Sequence, residues 1–290
     1  MNGGFLRRLL GRTSGLIGAS IITLLAAAAL LSLVWTPHDP AHAVPARRWQ
    51  PPSLDFWLGT DASGRDIFSL LLAGSRTTVI VAVAGGILAT VVGILLASAG
   101  ALTRRRVRES VAVLIDVLIA FPTVILAMML ASVMGGSLAV VVVAIGISAG
   151  VNIARVTRGE LRRIARSDYI LIARANGLRP GRILREHLLP GVAGVFIVQL
   201  SWTMATAVLA EAGLSYLGYG APAGTPSWGR LLAELQTYIT VHPLSVLGPG
   251  LAITITVLGF TLLGDGLRDA IDPRLRRDTD RAPRTVKGAL

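Results

Sequence analysis

The chain contains no cysteine and only one lysine, Lys287. The first absence excludes disulfides, thiolate metal sites and cysteine nucleophiles. The second excludes a nucleotide site of the G-x-x-x-x-G-K-[ST] kind, whose lysine must reach the phosphates. Lys287 sits in "VKGAL" at the end of the chain. The four histidines, His38, His42, His187 and His242, never fall at HxxxH spacing, so no metal site is expected. No Ser–His–Asp set or paired carboxylates stand out, so no catalytic residues are expected and the chain is not read as an enzyme. Charge is also scarce, at 15% of residues against about a quarter in soluble proteins. No repeat with a period of about 20–50 residues is present.

What the chain has instead is apolar length. Hydrophobic residues make up 53% of the 290, and the mean hydropathy is +0.66. Runs of about 18 or more apolar residues can cross a bilayer as helices. Six such runs occur, at about 15–35, 77–100, 110–133, 137–154, 191–212 and 243–264. The fold class expected is all-α, a polytopic membrane protein of about six transmembrane helices. "MGGS" (134–137) reads as a tight hairpin between the third and fourth runs. The opening "MNGGFLRRLLGR" and the later "AHA" (41–43) have the look of a secretory signal. The apolar run between them is about 20 residues, longer than the usual core of about 7–15, so a retained helix is expected.

Net charge is +12, and its placement fixes an orientation. With the N-terminus inside, 23 of the 28 basic residues are cytoplasmic, nine of them between Arg155 and Arg185. Only Arg47, Arg48, Arg65, Arg76 and Arg230 lie outside. An excess of Lys and Arg marks cytoplasmic loops. Both termini are therefore expected in the cytoplasm, and a nucleic-acid partner is not. Acidic residues near the spans, Asp116, Glu211 and Asp265, all fall close to span ends. An ion-driven secondary transporter would instead carry ionisable groups at the midplane of interrupted helices.

The segment 155–190 interrupts the apolar pattern. Ser167 can cap a helix with Asp168 in its first turn. Tyr169, Ile170, Ile172 and Ala173 form one apolar face. Gly177 supplies a stop, Pro180 starts a second short helix, and Pro190 ends it. Ile183, Leu184, His187 and Leu188 form the less polar face of that second helix. A DNA reader, a helix lying on anionic lipid, and a helix docking into a partner's groove all fit such a helix–turn–helix. Tethering by spans at both ends disfavours the DNA reader, and docking is favoured.

The same segment resembles the EAA loop of binding-protein-dependent ABC importer permeases, with Ala173, Gly177 and the ending Leu189-Pro190 in register. Leu171 and Ile172 stand where the pattern has Glu and Ala. Four more stretches resemble the dipeptide, oligopeptide and nickel members in order. They are "LGTDASGRDIFSLLLAGSRTTV" (58–79), "DVLIAFPTVILAMML" (116–130), "LAEAGLSYLGYGAPAGTPSWGRLL" (209–232) and "PGLAITITVLGFTLLGDGLRDAIDPRLR" (249–276). The resemblance, to the second or C-type permease, covers about residues 5–277. It implies a type I ABC importer permease fold in a bacterial plasma membrane.

Several expectations follow from the resemblance. Residues 1–76 would hold the N-terminal tail, first helix and extracytoplasmic segment. Residues 77–264 would be the permease core with the coupling loop 155–190, and 265–290 a basic cytoplasmic tail, with "DPRLRR" (272–277) anchoring the last helix end. Partners would be a second permease, two cytoplasmic ATPase domains, an extracytoplasmic binding protein and membrane lipid. ATP and Mg would be bound by the ATPases, with no cofactor in this chain. Ser167, Asp168, Tyr169, Ile172, Ala173, Arg174, Gly177 and Leu178 would form the coupling site. Asp61, Arg65, Asp66 and Trp228 are candidates for the outer loop and gate, with Gly59, Gly64 and "GTPSWG" (224–229) read first as structural turns. Short peptides are the expected substrate; nickel, glutathione or haem would suit the same pathway.

Overall fold

A computed structural model describes residues 9–102 and 105–271. Arg7, Arg8, Arg104, Lys287 and the "DPRLRR" ending lie outside the described residues. The described chain is helical, its one β-pairing being an isolated bridge between Thr60 and Asp66. The helices are α1 (Thr13–Val34), α2 (Ile67–Leu102), α3 (Arg105–Ile119), α4 (Thr123–Met134) and α5 (Leu138–Ala165). After these come α6 (Asp168–Ala175), α7 (Pro180–Ile183), α8 (Leu189–Tyr216), α9 (Trp228–Gln236) and α10 (Leu247–Ile271).

Five helical stretches are long and apolar enough to cross a membrane by length and composition. They contain α1, α2, α5, α8 and α10, and α3 with α4 makes a sixth if counted as one span. That pair corrects the expected third span: it is bent by 86° rather than straight. The cause is Pro122. It lacks an N–H to continue the helix, and it pushes Phe121 out of the helical region. The chain closes with turn bonds from Ala120 to Val117 and Phe121 to Leu118, and α4 starts again at Thr123. Other bounds move outward. The second span begins at Ile67 rather than near 77, ahead of its apolar run.

The fifth span carries a second correction. Pro190 does not end a helix. A single 37-residue helical stretch runs from Pro180 to Tyr216, with a π-turn at Leu184–Leu188. The N–H of Leu189 reaches back to the carbonyl of Leu184. This wider turn makes room for the Pro190 ring, which in a regular helix collides with the carbonyl four residues earlier.

α2 lies along α5, and both pack on α8. The α2–α5 seam is close because small residues line it. A Cβ added at Gly93 would meet Ile153 Cγ2 at 2.6 Å. One added at Gly150 would meet Val92 Cβ at 2.7 Å and the Ala89 carbonyl oxygen at 2.9 Å. Lipid tails are as apolar as side chains, so helices in a bilayer associate through such close contact rather than through hydrophobic exclusion. α1 packs against α10 the same way, where Gly18 meets Leu263 and Gly259 meets Ile21. Arg12 Nη1 ties the start of α1 to Asp269 Oδ2 of α10 at 2.7 Å.

The bundle thus has two ends. One holds α6 and α7; the other holds α9 and the irregular segment 35–66. Gly150→Leu should overpack the seam and lower stability by about 1–3 kcal/mol, read as a lower melting temperature in detergent. Gly159→Ala, with nothing within 4 Å of the new Cβ, should leave it unchanged or raised.

Candidate functional sites: a docking helix, a polar cavity and an outer clamp

Ser167 takes an extended backbone at the start of α6, as its sequence position suggests, but its hydroxyl does not cap that helix. It donates instead to the Ile164 carbonyl at 2.6 Å, closing the end of α5. Asp168 fills the first turn of α6, at the positive end of the helix dipole. Gly177 stops the helix at φ +79°, where a side chain would be strained. The N–H of Leu178 bonds the Ala173 carbonyl, and that of Gly177 the Arg174 carbonyl, so the orphan carbonyls are satisfied in a Schellman pair.

The expected apolar face of α6 divides in two. Ile170 is fully buried and joins the cluster of Leu161, Ile164, Ile183, Leu188 and Val192. Tyr169 and Ile172 face out at 51% and 61% exposure, with Leu171 beside them at 51%. Ala173 is half-buried and Arg174 exposed. Tyr169 also meets His187 edge-on, with ring centroids 6.2 Å apart. α6 therefore holds the bundle by one side chain and presents an apolar strip on its free side.

A second feature lies within the spans. A cavity of about 380 Å³ opens between α4, α5 and α8, beside the break at Pro122. Thr123, Asn152, Gln199, Trp202, Thr203 and Thr206 supply its polar groups, and no charged side chain lines it. Thr123 Oγ1 and Ser148 Oγ share a hydrogen bond of 2.6 Å, and Asn152 Nδ2 donates to the Ser148 carbonyl at 3.1 Å. Residue-by-residue reading of the sequence did not find this cavity. Its signal is the spacing of Gln199, Thr203 and Thr206, which falls on one face of an otherwise apolar helix.

At the opposite end Asp61 organises the lead-in to α2. Its carboxylate accepts from the N–H groups of Ser63 and Arg65 and from Arg65 Nε at 2.7 Å. Arg65 Nη2 continues to Glu234 Oε2 of α9 at 2.6 Å, and Arg230 Nε reaches Glu234 Oε1 at 3.2 Å. Burial alone disfavours the Arg65 charge, but Asp61 and Glu234 outweigh it and hold the guanidinium above its ordinary value. Asp66 is buried and caps α2, accepting from Ser69 N–H at 3.0 Å and Ser69 Oγ at 2.6 Å. Gly59 and Gly64 both take positive φ in this loop.

Trp228 is packed inward, 5% exposed, and its Nε1 donates to the Leu71 carbonyl at 2.8 Å. Glu211, buried near the end of α8, accepts from Ser215 Oγ and Ser227 Oγ at 2.7 and 2.8 Å. These bonds pin the "GTPSWG" turn. Asp116 is exposed on α3 and Asp265 half-buried on α10, and neither lines the cavity. Among the described residues no group of three or more His, Cys, Asp or Glu is placed to hold a metal ion.

Residues 89–277 match the family described as binding-protein-dependent transport system inner membrane component. The chain belongs to that family. The oligopeptide transport system permease protein OppC of Bacillus subtilis (strain 168) is 33% identical over 90% of this chain and 86% of its own length. The dipeptide permease DppC of Alkalihalophilus pseudofirmus is 35% identical over 90% of this chain and 86% of its own. The nickel permease NikC of Escherichia coli (strain K12) is 35% identical over 88% and 92%. A solved structure of the MetNI methionine ABC transporter, facing inward, superposes with a TM-score of 0.58 at 20% identity, covering 70% of this chain and 97% of that one, a likeness of fold. The chain is thus a C-type membrane permease of an ABC importer in the peptide and nickel group. It is a multi-pass membrane protein and not itself catalytic. The family binds no cofactor, ATP being held by partner ATPases, and its members work with a second permease and a binding protein.

Asp61→Ala removes the acceptor of the Ser63 and Arg65 N–H groups and of Arg65 Nε, and should sharply increase protease cutting within residues 36–66. Glu234→Gln breaks a half-exposed pair worth about 0.2–1 kcal/mol and should change the cutting little.

Proposed function

We propose that this permease imports short peptides, and that α6 is the helix an ATPase subunit grips. Helices α5 to α8 form one loop-and-span unit in which Ile170, Ile183 and Leu188 share a core with Val151 and Phe196 of the spans. The observation that carries the proposal is the exposed strip Tyr169, Leu171 and Ile172 on a helix fastened by that core. Ser167 and Asp168 set where α6 starts; Ala173, Arg174, Gly177 and Leu178 fix where it ends. ATP on the partner subunits must bind one arrangement of α6 better than the other to shift the gate. Leu171 stands where the family pattern has Glu, so the grip is apolar rather than ionic.

In this reading the termini and α6 face the cytoplasm, as the placement of basic residues favours. Residues 1–76 form the first helix and outer segment, 77–264 the core, and 265–290 the cytoplasmic tail. The binding protein delivers substrate to the α9 end, where Asp61, Arg65, Asp66 and Trp228 keep the outer rim in shape rather than touching substrate. The pathway runs at the face of the polar cavity, completed by the second permease. Its neutral amides and hydroxyls suit peptide groups, which offer both donors and acceptors and no fixed net charge. The orientation also places the Arg65–Glu234 clamp on the side from which substrate arrives.

Reconstituted with its partners, the Ile172→Asp chain should insert and assemble with the second permease. It should lose ATP-driven uptake and ATPase retention by tenfold or more, since about 1.4 kcal/mol suffices for tenfold. Full uptake in that variant, or in Gly177→Val, would sink the coupling role. Gln199→Leu with Asn152→Leu should reduce peptide uptake while leaving ATPase retention intact. Competition between di- to pentapeptides and a nickel complex for uptake decides the substrate: displacement by nickel alone would overturn the peptide assignment.

A further inference from the structure

The arginines at the α6 end divide into two kinds. Arg163 and Arg182 are paired, with Glu160 and with Glu186. Arg155, Arg158 and Arg162 of α5 and Arg166 just past its end have no ion pair or side-chain hydrogen bond among the described residues, and neither has Arg108 of α3. Arg155, Arg158, Arg162 and Arg166 are spaced three, four and four residues apart, which sets them in one stripe down α5 to its C-cap. Arg108, Arg158 and Arg166 all lie near enough to Arg162 to repel it. The stem of Arg158 packs by Gly100, the last turn of α2, beside Val111 of α3. One of its terminal nitrogens, Nη1, is buried without any partner. Like charges gathered around a buried, unused donor lack their acceptor. Leaving such a donor unpaired costs free energy, more so when it is charged.

Depth identifies the acceptor. The apolar run of α5 ends at Ala154. At 1.5 Å per residue Arg158 sits about 6 Å beyond it, and Arg162 about 12 Å. The polar layer on each side of a bilayer is about 5–8 Å deep. Arg158 is therefore at headgroup level, and Arg162 reaches back toward it with a long stem, because side chains on a helix lean toward its N-terminus. Val156, between Ala154 and Arg158, is 45% exposed, as suits a residue at the edge of the acyl region. The docking helix α6 packs at the level of Leu161 and Ile164, so a partner gripping it sits farther from the bilayer than Arg158.

We propose that Arg108, Arg158 and Arg162 form a binding site for the phosphodiester headgroup of an anionic lipid. The guanidinium fork suits such a group, offering paired donors to two phosphate oxygens. The bound headgroup relieves the repulsion within the stripe and holds the α6 end of α5 against α2 and α3. The proposal uses the orientation given above only to name the leaflet, the cytoplasmic one; the site itself follows from the arginines and their depth.

The test uses the assembled transporter, purified in mild detergent and analysed by native mass spectrometry after adding phosphatidylglycerol or phosphatidylcholine. Phosphatidylglycerol should be retained in preference, and Arg158→Gln with Arg162→Gln should lower its retention by about fivefold per arginine. Arg182→Gln, which removes a paired arginine on the same side, should leave retention unchanged. Should the double variant fail to assemble, Arg162→Gln alone carries the same comparison at half the effect on a logarithmic scale. Equal retention of the two lipids, or an equal loss in Arg182→Gln, overturns the site. Displacement of the lipid by millimolar inorganic phosphate would show a free-anion site instead. Unchanged lipid retention with loss of the ATPases would assign the arginines to a protein partner.

Discussion

A chain without a nucleotide site can be driven by ATP only through a mechanical joint, and in the proposed coupling that joint is the burial of Ile170. That side chain is fully enclosed by Leu161 and Ile164 of α5 and by Ile183 and Leu188 leading into α8. Protein interiors pack as densely as organic crystals, so such a contact transmits displacement rather than absorbing it. The π-turn at Leu184–Leu188 keeps the helix continuous past Pro190. A push on α6 therefore reaches α8, and α8 lines the polar cavity.

The spans obey a related constraint at the other end. Polar groups within a bilayer must be satisfied by the protein. Arg76 in the first turns of α2 finds Ser32 Oγ of α1 at 2.6 Å, and Thr77 Oγ1 finds the Pro226 carbonyl at 2.7 Å. Glu211 reaches across to Ser227. The first bond joins two spans, and the other two join a span to the outer segment that precedes α9. Trp49, stacked on His242 at 4.0 Å and edge-on to Tyr238 at 5.0 Å, closes that rim. The outer segments are thus held by bonds that originate in the spans.

Much of this was legible in the sequence. The count of spans follows from apolar run length, which is a physical requirement and not a propensity. The Gly177 stop, the hairpin at 134–137 and the short helix after Ser167 follow from local backbone chemistry. The failures share one cause: each needed knowledge of a neighbour. Pro122 lies inside an expected span and Pro190 is expected to end a helix, yet the first breaks its helix by 86° and the second is absorbed after a π-turn, with buried Leu188 and Val192 on either side. The Ser167 hydroxyl had two carbonyl-rich or amide-rich ends to serve and chose the end of α5. The cavity needed three helices at once, and the Arg65–Glu234 bond joins residues 169 positions apart.

The substitution at Leu171 is best understood with its surroundings. An acidic side chain on a docking helix offers a directed, salt-sensitive contact, whereas Tyr169, Leu171 and Ile172 offer contiguous apolar area of roughly 25 cal/mol per Å² once covered. Arg174 and Arg179 lie exposed at the edge of that strip. An apolar centre with a charged rim is the usual anatomy of a protein interface. The rim steers the encounter and the centre supplies the hold. In the proposed coupling, the ATPase facing this permease must therefore present an apolar groove with acidic margins, and a permease bearing Glu at the same position makes a different demand. The identity of one side chain on α6 then bears on which ATPase this permease accepts.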